Sequence, residues 1–470
     1  MLTASFGVIL ADHVTAQTFT TLHSFTGGSD GGWPFAGLIL SGNNLYGTTY
    51  WAVFSSGGSV FGTVFAVNTD GTGFTNLHSF PQLPPYPGPY NNSDGAGPQA
   101  VLTLSGNMLY GTAAVGGTSG NGTVFAVKTD GTGFTNLHSF SDSDGSSPNA
   151  RLILSRDILY GTASHGGSSG NGTVFTINTN GIGFMVLHNF TATPGRTNSD
   201  GINPQAGLVL SGNTLYGTTW QGGSGGWGTV FAVNTDSTGF TNLYNFTGGS
   251  DGAGPTAGLI LSGNTLYGTA SQGGSSGNGT VFRVNINGTN FANLHSFTAL
   301  DKSTNTDGAN PNADLILTNN ILYGTAQSGG SGGEGTVFKV NIDGNGFTTL
   351  YSFTAIPAYA GPHTNSDGTS PNGLILSGNT LYGTAQFGGS SNNGTVFSIF
   401  IQPQLAIISL GTDVVLTWPT NYAGFTLQSV TNLVSPSIWT TVTPEPVVVN
   451  GQNTVTNPIS GTQQFFRLSQ

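Results

Sequence analysis

The stretch LYGTASQGGSSGNGTVFRV, residues 266–284, decides the fold. Two apolar runs flank a Gly/Ser loop, which is the pattern of a β-hairpin. Val281 and Phe282 bring the β-branched and aromatic bulk that suits a strand. The loop GGSSGNG accepts positive φ at little steric cost. The stretch is one of seven near-copies. LYGT recurs at Leu45, Leu109, Leu159, Leu215, Leu266, Leu322 and Leu381, and GTVF at Gly62, Gly122, Gly172, Gly228, Gly279, Gly335 and Gly394. Successive LYGT marks are 50 to 64 residues apart, and a period in this range means a solenoid, a propeller or an array.

Residues 253–299 show the grammar of one unit. AGLILSGN (257–264) is a strand and a tight turn, TLYGTA (265–270) returns along it, GTVFRVN (279–285) is a third strand and FANLHSF (291–297) a fourth. The last two are joined by Asn287-Gly288, replaced by Asp-Gly at Asp70, Asp130 and Asp343. Asx-Gly between apolar runs is a strong hairpin signal. The loop to the next unit ends in Asp-Gly-x-x-Pro, with Asp30, Asp94, Asp144, Asp200, Asp251, Asp307 and Asp367. There Asp closes an Asx-turn, Gly takes unusual φ and Pro stiffens entry into the next strand.

Four-stranded units of this length, repeated radially, are β-propeller blades. The reading is an all-β chain: a seven-bladed β-propeller over residues 17–400, with AGLIL innermost and FxxLHSF outermost. The ends agree. The chain supplies a lone fourth strand at 19–25, and the seventh unit stops after its third strand at 394–400. Pairing these two closes the ring and removes an exposed sheet edge.

The motif LYGTxxxGG…GTVFxVNTDGTGFTxLHSF resembles the GloVer tandem-repeat family of bacterial proteins over residues 17–400. The resemblance implies a secreted or surface-displayed product with an interchangeable C-terminal module. It implies no known enzymatic activity and carries over no catalytic residue. The first unit departs from the pattern at 50–59.

The ends of the chain change style. Residues 1–16, MLTASFGVILADHVTA, read either as a signal-peptide remnant cut after Val14-Thr15-Ala16 or as a frayed terminus; a positive n-region is missing. Residues 401–470 hold six or seven short apolar runs punctuated by Gly, Pro and Asn, which reads as a small β-sandwich similar to fibronectin-like modules. Trp418 and Trp439 are its expected core residues.

Composition narrows the chemistry. Only 6% of residues are charged, with Lys+Arg 8 against Asp+Glu 19. No basic stripe marks a nucleic-acid partner, no run approaches the length of an apolar membrane span, and the absence of cysteine removes thiolate metal sites and cysteine nucleophiles. His23, His78, His138, His188 and His295 share one slot of the fourth strand, where two units carry Tyr244 and Tyr351. A His/Tyr exchange fits a packed ring with a polar tip and does not fit a metal ligand. The Asp of the DGxxP loops recur once per unit, so a turn role explains them together. Asp142-x-Asp144-Gly145 begins like a calcium loop but lacks the bidentate Glu. No GxSxG lies on a strand-to-helix turn, and the glycine loops lack the following helix and lysine of a phosphate cradle, so no catalytic residue, metal or cofactor is assigned.

Variation between units is the remaining signal. The two positions before each Gly-Gly pair, with their neighbours, give Tyr50, Trp51, His165, Trp220, Gln221, Trp227, Gln272, Gln327, Gln386 and Phe387 as candidate ligand-binding residues. The long loops add Tyr86, Tyr90 and Tyr359. Aromatic rings with amides suit a neutral polar ligand, either a glycan or an extracellular protein. The alternatives are a carbohydrate-active hydrolase or lyase, which requires two loop carboxylates near the channel, and a structural surface spacer.

Overall fold

The computed structural model describes residues 17–53, 59–83, 91–193, 195–357, 364–403, 405–410, 413–420, 424–432, 438–458 and 464–469. The leader-like segment 1–16 and Tyr86, Tyr90 and Tyr359 lie outside the described residues. Every regular element among the described residues is a β-strand. The chain divides into two compact units, one built on Thr20–Ile375 and Tyr382–Ser398 and the other centred on Ile399–Gln470.

Seven four-stranded sheets occupy residues 17–400 among the described residues. In the fifth, Ile260–Ser262, Thr265–Ala270, Thr280–Asn285 and Ala292–Ser296 follow one another antiparallel. The register sets Gly268 opposite Phe282 and Thr269 opposite Val281. This pairing explains the glycine of LYGT. A Cβ on Gly268 would come within 2.8 Å of Phe282 Cζ and Leu259 Cδ2, so the aromatic ring occupies the space a side chain would take. The glycine of GTVF has a different cause. Gly279 holds φ +100 with Ala270 O and the next unit's Pro311 Cδ crowding its Cβ direction at 2.6 and 2.5 Å. A bulge between Val281 and Phe282 then re-aims the fourth strand.

The core lies between sheets. Tyr216, Val230 and Phe246 of the fourth unit pack with Leu259, Leu266, Phe282 and Val284 of the fifth, and Phe246 meets Phe282 edge-on at 5.2 Å. The other face of the fifth sheet contributes Tyr267, Val281 and Phe297 to a cluster with Leu315, Leu322 and Phe338 of the sixth. Both faces are covered, which is why the strands read as continuous apolar runs.

The first strand is shorter than its sequence suggests. The apolar run 257–264 pairs only over Ile260–Ser262, whereas the first strand of the seventh unit runs over Thr369–Ser377. The threonine of LYGT donates across the gap: Thr112 to Ala150 O at 3.2 Å, Thr162 to Ala206 O at 3.1 Å and Thr218 to Ala257 O at 3.2 Å. The same bond joins the seventh sheet to the first, from Thr384 to Ala36 O at 2.7 Å. Thr18–Ser24 is the outer strand of the seventh sheet, beside Thr395–Phe400, and Phe25 N donates to Gly394 O at 3.0 Å. Phe25, Leu38, Leu45 and Phe65 share a cluster with Val396.

The C-terminal unit holds a four-stranded and a three-stranded sheet, with Leu416, Trp418, Leu427, Val442 and Val455 in one core. Trp418 is buried, as expected. Trp439 is not a core residue. It stands beside the exposed edge strand Thr440–Thr441, half-buried, with Arg467 Cζ 4.3 Å from its ring centroid.

Two variants test the interlock by chemical denaturation. Phe282→Ala should cost ~3–5 kcal/mol, and Gly268→Ala ~1–3 kcal/mol by overpacking. A change below ~0.5 kcal/mol in both would mean that this strand is not packed between sheets.

Candidate functional site

The fourth-strand histidines and the loop aspartates prove to be partners. His23, His78, His138, His188 and His295 each place Nε2 within 2.9–3.2 Å of Oδ2 of Asp30, Asp94, Asp144, Asp200 and Asp307. Tyr244 and Tyr351 donate their hydroxyls to Asp251 and Asp367 at 3.0 and 2.8 Å. His78 approaches Asp94 off the hydrogen-bonding direction, so its buried Nε2 is unsatisfied. The same carboxylates accept from the loop backbone, as in Thr298 N to Asp307 at 3.0 Å. The five histidines and Tyr244 also stack on a phenylalanine of the following unit, as His78 does on Phe134 at 3.6 Å and 5°. These groups are latches between loop and blade.

Their electrostatics follow from that role. Burial pushes the His78 and His138 imidazoles below the ordinary histidine value, and the adjacent Asp94 and Asp144 carboxylates oppose it without cancelling it. Burial alone would raise the Asp200 and Asp307 carboxyls. The bonds from His188 with Thr191, and from His295 with Thr298, outweigh it and hold both below the ordinary carboxylate value.

The cavity of this unit lies elsewhere. A cavity of about 390 Å³ is lined by the first-strand segments of all seven units. Its lining includes Phe35, Gln99, Asn149, Gln205, Thr256, Asn312 and Asn372, which all follow a DGxxP proline directly. Some of these are tied together: Asn312 Nδ2 donates to Gln327 Oε1 at 2.7 Å, and Thr256 Oγ1 to Asn312 Oδ1 at 3.2 Å. Asn149 Oδ1 is buried and has no hydrogen-bond partner among the described residues. The lining carries two charged side chains, Arg151 and Asp314. Asp314 is therefore its single carboxylate among the described residues, where the hydrolase alternative requires two.

The candidate residues fall into separate groups. Tyr50, Trp220, Gln327 and Gln386 are buried or half-buried. Tyr50 meets Phe35 edge-on at 5.3 Å, Gln327 braces Asn312, and Trp220 lies against Gly254 of the next unit. Gln221, Gln272 and His165 are exposed, with their backbones pinned by bridges to Ile202, Ala253 and Ser146; His165 Nδ1 lies 2.9 Å from Ser164 Oγ. Trp227 is 38% exposed, and Arg196 Cζ is 5.7 Å from its ring centroid.

Trp51 and Phe387 do come together, around a residue that sequence reading missed. Trp33 stacks on Trp51 with centroids 6.1 Å apart and meets Phe387 at 6.0 Å and 71°. Trp51 also meets Phe61 edge-on at 5.1 Å. Trp33 holds φ +54, in the left-handed region. The matching positions are Gly97, Ser147, Asn203, Gly254, Asn310 and Ser370, all small or polar and all with positive φ. A bulky ring there costs roughly 1–3 kcal/mol of backbone strain. The available signal was WPF at 33–35, where other units set small or polar residues around the proline.

A family model described as the Gloeobacter/Verrucomicrobia repeat matches residues 88–199 and 195–397. No curated protein matches the chain. Among solved structures, it is similar to oligogalacturonate lyase from Vibrio parahaemolyticus at 8% identity, covering 82% of this chain and 97% of that one with a TM-score of 0.46. An oligogalacturonate lyase in complex with manganese matches at 9% identity, with coverages of 77% and 86% and a TM-score of 0.45. TolB from Acinetobacter baumannii matches at 16% identity, with coverages of 63% and 61% and a TM-score of 0.37.

The latches make stability depend on pH in two stages. His78 and His138 are depressed in the folded state, so acidification below the ordinary value of 6.5 favours the unfolded chain, which takes up protons first. Asp200 and Asp307 are depressed as well, so a second loss begins below 3.8 as pH falls toward their folded values. The double variant His78→Tyr/His138→Tyr should remove the first stage and keep the second. Thermal melts followed by circular dichroism from pH 8 to pH 3 would show this, and an unchanged first stage would reject the assignment.

Proposed function

We propose, for a chain that belongs to the Gloeobacter/Verrucomicrobia repeat family, that residues 17–400 close into a seven-bladed β-propeller. In this reading it is secreted or displayed on the cell surface and holds a neutral polar ligand, a glycan or an extracellular protein, without transforming it. Closure is supported by the bonds that repeat around the sheets. Trp33 N donates to Asn393 O at 2.8 Å, as Asn203 N does to Asn171 O at 3.0 Å and Asn310 N to Asn278 O at 2.9 Å.

The binding role rests on one observation. Trp33 is held in a strained conformation that the other six units fill with small or polar residues, and it gathers Trp51 and Phe387. The chain then runs through Pro34 to Phe35 on the cavity wall. Strain of this kind persists where the surrounding structure over-determines it, and it clusters at ligand clamps. Aromatic faces beside convergent amides offer stacking for a sugar ring or side chain and bonds for hydroxyls or peptide groups.

Trp33→Asn installs the residue found at Asn203 and Asn310. Its melting temperature should stay within about 5 °C of wild type, while retention on a glycan array and on immobilised extracellular matrix protein is lost. A binding profile identical to wild type would remove Trp33 from the site. Absence of any ligand for the wild-type chain would favour the spacer.

A further inference from the structure

One position of the cavity wall breaks the repeat in a chemically specific way. The residue just before the buried leucine of each first strand is Gly37, Val101, Arg151, Gly207, Gly258, Asp314 or Gly373. Five units put glycine or valine there. The third puts a cation and the sixth an anion, in a chain with only eight Lys and Arg. Arg151, Gly207, Gly258 and Asp314 line a common pocket of about 310 Å³ whose remaining wall is Leu, Ile and Val.

The two glycines are what open this pocket. A Cβ on Gly207 would lie 3.3 Å from Arg151 Cβ, and one on Gly258 would lie 2.9 Å from Asp314 Oδ1. Gly207 lies against the Cβ and backbone of Arg151, whose side chain is exposed, and Gly258 N fixes Asp314 by donating to Oδ1 at 2.6 Å. Arg151 and Asp314 form no ion pair with each other or with another described residue. An unpaired guanidinium and an unpaired carboxylate facing one apolar-walled recess concentrate the local field. The guanidinium fork matches a carboxylate in bidentate fashion, and the carboxylate matches an ammonium.

We propose that this recess binds a small zwitterion, a short peptide with free ends, whose carboxylate meets Arg151 and whose ammonium meets Asp314. The amides around the larger cavity, Gln99, Gln205 and Asn312 among them, then face the peptide bonds. This site is independent of the aromatic cluster around Trp33.

The test is calorimetric titration of the full chain with glycine, diglycine, triglycine and tetraglycine. N-acetyl-triglycine amide serves as the uncharged control and a neutral disaccharide as a control for sugar binding. One length should bind best, the one whose two charged ends span the separation of Arg151 and Asp314. Blocking both ends of that peptide should weaken it about tenfold or more, the measure of one lost charge-assisted contact. Arg151→Gln and Asp314→Asn should each do the same while melting like wild type, because Asn still accepts from Gly258 N. No measurable binding at any length, equal binding of the blocked peptide, or full affinity in Arg151→Gln would overturn the proposal. Disaccharide binding that survives in both variants would place sugar recognition at the other site and leave the zwitterion result to decide this one.

Discussion

The architecture depends on a hydrogen bond and a ring of carbon that act together across the gap between sheets. In six of the seven units the threonine of LYGT donates to a carbonyl at the start of the neighbouring first strand, as Thr162 does to Ala206, and in the fifth the buried Thr269 hydroxyl has no hydrogen-bond partner among the described residues. Beside it, the phenylalanine of GTVF lies over the glycine of its own LYGT and edge-on to the fourth-strand phenylalanine of the preceding unit, as Phe282 does to Phe246. A four-stranded sheet that is apolar on both faces has no stable state alone, because burying both faces requires two neighbours. The repeat conserves along this chain what that contact needs and lets the rest vary.

Most of the fold was legible for that reason. Strand order, the hairpin turns, the pairing of 19–25 with the seventh unit and the kinship of the fourth-strand His and Tyr all follow from local pattern and copy number. The partner of each His was not legible. His188 and Asp200 belong to motifs that look independent, and only the fold of the intervening loop brings them to 2.9 Å. The bond taken by the Ala206 carbonyl was also hidden, because its donor, Thr162, lies on another unit. Trp439 misled because a tryptophan in an apolar run reads as core, whereas its strand ends at an open edge.

The candidate site was half legible. Comparing units found Trp51 and Phe387, which both contact Trp33, but in the fourth-to-first connections it picked out only the tyrosines of the long loops. Trp33, Arg151 and Asp314 sit in the fourth-to-first connections, where the eye is held by the invariant Asp, Gly and Pro around them. The residues that depart from the repeat are where individuality is stored in a structure otherwise made of copies. The latches and the Thr bridges are free to be uniform because they recognise only each other.

The seventh sheet takes its outer strand, Thr18–Ser24, from the opposite end of the sequence. During synthesis that strand leaves the ribosome first and must wait, unpaired, until Thr395–Phe400 has followed it some 370 residues later. Until then the nascent chain carries an unpaired strand, which the matching edge of a second copy can take up. The same pairing that covers this edge of the seventh sheet thus sets a vectorial problem for its biogenesis: slow, long-range strand pairing in competition with strand exchange between chains.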